Sequence, residues 1–331
     1  MTNNFIRQER NLSIDLVKII AMFGVICWHS TRQFVNLQEV EFTVASFLYR
    51  TAAISIPLFF LSSGYLQLGR KNYSWDYSIR KIGKILRYVL IFCVAYWIFA
   101  SLRHGIDIRN LWGIISDAFI GAGPFYVFWY FGAMIILYLL LPFLNNLYSH
   151  KKAFIVTTAL LLLFQNCIHL QLLTNGGGTE NICITLRLYN WLTYFMLGGL
   201  VKDLNLKYRN WWLILVLVMA NYLFQLSLCK FMNSTASSFY YSSSIIVALA
   251  ILLLVTALNT RISKDNRVIK ELSGLFLLTF TLHSFFIGRV TSLVASIPLA
   301  ALWVWIVVSL ITVAVSYILM KLPYANKIFR I

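Results

Sequence analysis

The chain has 331 residues, 60% of them apolar and only 12% charged, with a formal net charge of +17 from 28 Lys and Arg against 11 Asp and Glu. At about 20 residues per membrane-crossing helix, this apolar content is enough for about ten spans. Continuous apolar runs such as 210–229, 239–258 and 297–320 exclude a soluble enzyme and the alternating strands of an outer-membrane barrel. The excess positive charge then reports on topology and not on nucleic acid.

Apolar runs and their punctuation predict spans near 12–33, 42–67, 82–101, 125–147, 153–170, 184–201, 210–229, 239–258, 273–294 and 297–319. The first run continues into a span with no A-x-A-like site after it, so it reads as a retained helix and not a cleaved signal. With the N-terminus inside, the inner connections hold 20 of the 28 basic residues and the outer ones six. This asymmetry predicts an all-α polytopic bundle of about ten spans with both termini cytoplasmic, a single membrane domain over 1–331, in the cytoplasmic (inner) membrane. The segment 111–123 ends in Gly121, Gly123 and Pro124 and reads as an interfacial or re-entrant piece. Counting it as a span would place the later basic loops outside. Five scattered cysteines without a CxxC pair predict no structural disulfide.

Ionisable side chains inside hydrocarbon need a reason. The first span holds Asp15, Lys18 and His29. At about 100° per residue, Lys18 and His29 point within about 20° of each other, and Asp15 lies within about 60° of Lys18, giving one polar stripe about 16 Å long between Lys18 and His29. Lys18 reads either as a snorkelling partner of Asp15 or as part of a site. His29 reads either as an interhelical hydrogen-bonding group or as a general base. In the second span, Pro57 interrupts the helix and Ser62, Ser63, Gly64 and Tyr65 close it, which suits either a cavity lining or close helix packing. The inner connection after it presents Arg70, Lys71, Arg80, Lys81, Lys84 and Arg87. This is either a solvated positive-inside loop or a phosphate site near a helix start. Trp129 and Tyr130 open the fourth span. His283 lies among three hydroxyls in the ninth, as helix glue or as a member of the pocket. His104, His150 and His169 fall in connections or at a helix end and read as solvated. There is no HxxH and no Cys/His cluster, so no metal site is implied.

In chain order the residues Ile14-Asp15-Leu16-Val17-Lys18, His29, Pro57 to Tyr65 (PLFFLSSGY), Arg80-Lys81-Ile82-Gly83-Lys84, Trp129-Tyr130-Phe131, Tyr138 to Pro142, Tyr194 to Gly198 and Phe280-Thr281-Leu282-His283 resemble the acyltransferase-3 family of integral membrane O-acyltransferases, over nearly the whole chain. The resemblance implies transfer of an acyl group, usually acetyl, from cytoplasmic acyl-CoA to a hydroxyl of a glycan or lipid-linked saccharide. No bound cofactor is implied; acetyl-CoA or another acyl-CoA is the donor substrate. It makes His29 the catalytic histidine, with His283 and Asp15 as catalytic partners, and assigns acyl-CoA to Lys18, Arg80, Lys81, Lys84 and Arg87. Ser62, Ser63, Gly64, Tyr65 and Trp129 become pocket-lining residues. Lys18 stands where the family usually has Arg, Lys81 and Lys84 where it has an Arg-x-x-Arg pair, and Phe280 where Tyr is common. The expected partners are acyl-CoA, the saccharide acceptor and the bilayer, with no nucleic acid; a homo-oligomer is compatible with all of this. The alternative is a transporter or flippase for an anionic amphiphile or lipid-linked sugar. It would use the same basic loops and polar stripe, but no inverted repeat and no intramembrane acid beyond Asp15 supports it.

Overall fold

Asn11 starts the first helix by accepting hydrogen bonds from the backbone N–H groups of Ser13 and Ile14 at 3.0 and 3.3 Å, as a side-chain cap does. In a computed structural model, residues 10–36, 39–70, 74–104, 108–174, 182–232, 243–325 and 329 are described. Among them there is no strand. The helices are α1 (Leu12–Thr31), α2 (Val44–Ala52), α3 (Ser55–Gln67), α4 (Trp75–His104), α5 (Ile108–Ile120), α6 (Trp129–Ser149), α7 (Lys151–Thr174), α8 (Leu188–Leu204), α9 (Trp211–Met232), α10 (Ser244–Leu258), α11 (Arg267–Val294) and α12 (Ala300–Lys321).

Among the described residues each of the ten expected spans coincides with a helix or a helix pair, residues 239–242 of the eighth lying outside them, and eight are long and apolar enough to cross a bilayer. The other two, α8 and α10, have 17 and 15 residues. The second span is α2 followed by α3, with the break at Ala53 and Ile54, so that Pro57 falls in the first turn of α3, where its missing N–H leaves no helical bond unmade. The basic stretch 80–87, expected as a connection, is helical, because α4 begins at Trp75. Lys and Arg are good helix formers, and a helix continues past the apolar segment when its charged side chains reach the interface. The segment expected to be interfacial contains α5, which ends at the left-handed Gly121 (φ +85°) and Gly123 (φ +64°).

Large apolar side chains on the outer faces of α7 and α9, among them Leu160, Leu163, Phe164, Trp212, Leu215 and Val216, are exposed, while Asn145, Thr193, Asn221, Gln225, Thr279 and Ser316 are buried. Apolar outside and polar inside is the arrangement a bilayer demands of a multi-pass protein. The tightest crossing joins α3 to α8. A Cβ on Gly64 would overlap the carbonyl of Phe195, and one on Gly198 would overlap that of Leu61. Gly64 is therefore a packing residue. His169, expected to be solvated, is buried, and its Nε2 is 2.9 Å from Asn190 Oδ1 across the α7–α8 interface.

Candidate active site

Two cavities carry the residues of the polar stripe of α1, one at Asp15 and Lys18 and one at His29. The larger, about 540 Å³, opens at the end of the bundle that carries Arg10, Arg70 and Lys81. Four cations, Arg10, Lys18, Arg70 and Lys81, line it against one carboxylate, Asp15, with Ser62, Ser63 and Gln67 between them. Arg10 Nε donates to Asp15 Oδ2 at 2.5 Å, and its Nη2 donates to the Lys270 carbonyl at 3.0 Å and to Ser273 Oγ, which ties the start of α1 to α11. Asp15 thus pairs with Arg10, and Lys18, read either as its partner or as part of a site, lines the basin. Asp15 is about 21 Å along the helix from His29. Its carboxylate lines the basin, apart from the chamber beside His29.

Arg70 enters the basin because Gly69 turns the chain at the end of α3 in a left-handed conformation (φ +67°), with its N–H donating to Asn145 Oδ1 at 2.8 Å. Tyr77, at the start of α4, holds it there. Arg70 Nη1 donates to the Tyr77 hydroxyl at 2.8 Å, the hydroxyl donates to Gln67 Oε1 at 2.7 Å, and the guanidinium lies 4.6 Å over the Tyr77 ring. Lys81 follows one turn after Tyr77 on the same face of α4. Arg80, Lys84 and Arg87 sit about 100°, 60° and 120° away round that helix; all three are exposed and none lines the cavity. Of the five residues expected to bind acyl-CoA, the basin therefore gathers Lys18 and Lys81. Arg10, Gln67, Tyr77 and Tyr138, which sequence reading did not select, complete it, as does Arg70, which it left among the loop cations. Phase on α4 was the available signal: Tyr77, Lys81 and Ile85 recur at i, i+4 and i+8.

The smaller cavity, about 20 Å³, lies beside His29 and is lined also by Trp28, Phe59, Trp129, Tyr130 and Phe280. Gly64 and Tyr65 line neither cavity. The His29 ring is 5.0 Å from the Tyr126 ring and 5.4 Å from the His283 ring, centroid to centroid, so helices at opposite ends of the sequence bring the two histidines together. His283 is fully buried, and its Nδ1 lies 2.6 Å from the Phe280 carbonyl. A carbonyl only accepts, so Nδ1 carries the hydrogen and the neutral ring presents Nε2 as a bare acceptor. That Nε2 is buried with no hydrogen-bond partner among the described residues, a state native interiors rarely leave unfilled without a use. The hydroxyls near it act as helix glue: Thr279 donates to Ser316 Oγ at 3.1 Å, and Thr281 Oγ1 lies 2.8 Å from the Tyr88 hydroxyl. The Cys27 thiol points away from the chamber to the Leu48 carbonyl.

An imidazole that lines a narrow chamber, His29, with the bare acceptor of His283 behind it, can take or orient a hydroxyl proton. A basin with four cations can hold phosphates. The family model described as an acyltransferase domain matches residues 11–321. An amino-acid racemase from Enterococcus faecalis is 28% identical over 164 residues, a match that covers 47% of this chain and 22% of that protein. No solved structure matches. With the family model running from the α1 cap to the end of α12, over both cavities, the chain belongs to the acyltransferase-3 family of membrane acyltransferases.

Proposed function

We propose that the protein is an O-acyltransferase of the cytoplasmic membrane, moving an acyl group, most readily acetyl, from cytoplasmic acyl-CoA to a hydroxyl of a cell-surface glycan or lipid-linked saccharide. One observation carries this reading: the four-cation basin and the histidine pair lie on the same side of α1, separated along it by about 16 Å from Lys18 to His29. That separation suits a donor whose phosphates and thioester are joined by a long thin arm. CoA phosphates would rest against Lys18, Arg70 and Lys81, the arm would run along α1, and the thioester carbonyl would come to His29.

In the transfer step His29 takes the proton of the acceptor hydroxyl, the oxygen attacks the thioester carbonyl, the C–S bond breaks, and the CoA sulfur leaves with the proton His29 returns. His283 Nε2, held as an acceptor by the Phe280 carbonyl, orients the protonated His29 ring. Racemase chemistry is not carried over, because only 22% of that relative is matched.

The test is release of CoA and labelling of a saccharide acceptor by purified protein supplied with radiolabelled acetyl-CoA, in parental and His29→Ala forms. Labelled product from the parent and none from the folded variant is the expected result. Substrate movement across vesicles with no acyl-CoA requirement and no labelled product would establish the transporter reading instead.

A further inference from the structure

The basin and the histidine chamber share a wall. Phe59 of α3 and Tyr130 of α6 line both cavities, and Phe280 of α11 closes the chamber beside them. The three rings are in mutual contact, with centroids 5.6 Å apart for Phe59–Tyr130, 5.9 Å for Phe59–Phe280 and 6.0 Å for Tyr130–Phe280. Phe276 backs the collar from the basin side, 5.3 Å from Phe59. Beyond the collar, the chamber of about 20 Å³ has room for about one water molecule.

Resting on the acyl-transfer reading, we propose that Phe59, Tyr130 and Phe280 set the length of the acyl group the protein accepts and restrict it to the shortest chains. The carbonyl carbon has to come to His29, so the acyl tail has to lie in or beside the collar. Room for one water is less than the three heavy atoms of an acetyl group need. Ring movement therefore accompanies even acetyl transfer, and each added methylene demands more from rings packed at interior density. In a hydrophobic pocket one methylene discriminates by about 10- to 200-fold. The basin imposes no such limit, because it is over twenty times larger than the chamber.

Transfer rates from acetyl-, butanoyl- and hexanoyl-CoA, measured on the full-length purified protein, test this. The parent should favour acetyl over hexanoyl by about 100-fold or more, and Phe280→Ala or Phe59→Ala should raise the hexanoyl-to-acetyl ratio by about ten-fold or more. Phe280→Leu and Phe59→Leu, which remove less volume, should move the ratio the same way by less, and they carry the test if the alanine variants do not fold. Met134→Ala, in the basin wall but not the chamber wall, should leave the ratio unchanged. A parent that uses hexanoyl-CoA as fast as acetyl-CoA overturns the collar while leaving acyl transfer standing. So do leucine or alanine variants that still transfer acetyl with an unaltered ratio, or a Met134→Ala variant that shifts the ratio as far as theirs. A parent that transfers no acyl group from any of the three donors defeats the acyl-transfer reading itself, and the collar proposal falls with it.

Discussion

The two cavities along α1 are built on opposite physical principles. The basin is wide, and its polar groups sit on long side chains, Arg10, Lys18, Arg70 and Lys81, of which the two guanidinium heads are placed by hydrogen bonds. The chamber is narrow, and its walls are rings locked against other rings: Trp129 against Trp191 at 4.8 Å, and Phe59 against Tyr130 and Phe280. Charge and room suit capture of an anion, which tolerates small displacements. Close packing around the histidine suits chemistry, where displacement of the reacting groups by about 1 Å lowers rate steeply. Substitutions should therefore separate into those that alter donor affinity and those that alter turnover.

The largest effect is expected at His29. His29→Ala should lower acyl transfer by about 10²- to 10⁴-fold, the usual contribution of a positioned general base, while CoA affinity measured by titration calorimetry stays near the parental value. If the folded variant transfers at near the parental rate, the chamber is not the reaction centre and the comparison breaks at that end. His283→Ala should fall between the parent and His29→Ala in turnover, because it removes an orienting acceptor and not the base.

Next is a substitution that should not respect the division. Both cavities hang from α3, which contributes Phe59, Ser62 and Ser63, and α3 is fixed against α8 by the reciprocal Gly64 and Gly198 contacts. Gly198→Ala places a Cβ on the Leu61 carbonyl, and overpacking of this kind destabilises by about 1–3 kcal/mol. The measurable outcome is a lower thermal midpoint in detergent, with CoA binding and turnover reduced together. A fall in turnover alone, with midpoint and affinity unchanged, would show that the crossing serves the chamber only.

The chamber was easier to read from sequence than the basin. His29, His283 and Trp129 are conspicuous in apolar helices, since an imidazole in hydrocarbon needs a reason. Arg10 and Arg70 lie just outside helices, where no periodicity tells which way a side chain points; the Gly69 turn and the Asp15 and Ser273 partners of Arg10 settle it only in three dimensions. Arg80, Lys84 and Arg87 stood out only as a cluster of charge. Once α4 is seen to be helical through them, the phase of Tyr77 and Lys81 turns them away from the cavity. His169 was misjudged for a related reason, since its partner Asn190 is 21 residues away on another helix. Helix positions were legible because long apolar runs have few alternatives in a bilayer. Their ends were less so, because α4 and α11 continue into charged segments that hydropathy assigns to connections.

The face of α4 gives the third prediction. Lys81→Ala and Arg70→Ala should each weaken CoA binding by about 10- to 150-fold, corresponding to about 1.5–3 kcal/mol for a charge-assisted hydrogen bond, with little change in turnover at saturating donor. Arg80→Ala, Lys84→Ala and Arg87→Ala, on the other faces, should change affinity less than about three-fold, as exposed charges do. Calorimetric titration of CoA against the five variants ranks them. Equal losses on all faces of α4 would mean that a diffuse positive field, and not the basin, holds the donor.

The smallest expected effect sharpens the comparison most, because it asks whether the basin is placed at all or only charged. Tyr77→Phe keeps the ring beneath the Arg70 guanidinium but removes the hydroxyl that accepts from Arg70 and donates to Gln67. A net hydrogen bond of about 0.5–1.5 kcal/mol predicts a loss in CoA affinity of about two- to ten-fold. If the hydroxyl acts by positioning Arg70, Tyr77→Phe should have little further effect once Arg70→Ala is present, since groups in one network are not additive. Full additivity in that double-mutant cycle would mean that the Tyr77 hydroxyl meets the donor itself. No effect of Tyr77→Phe in either background would mean that Arg70 needs no guidance, and that the basin attracts phosphate by charge alone where the chamber depends on fit.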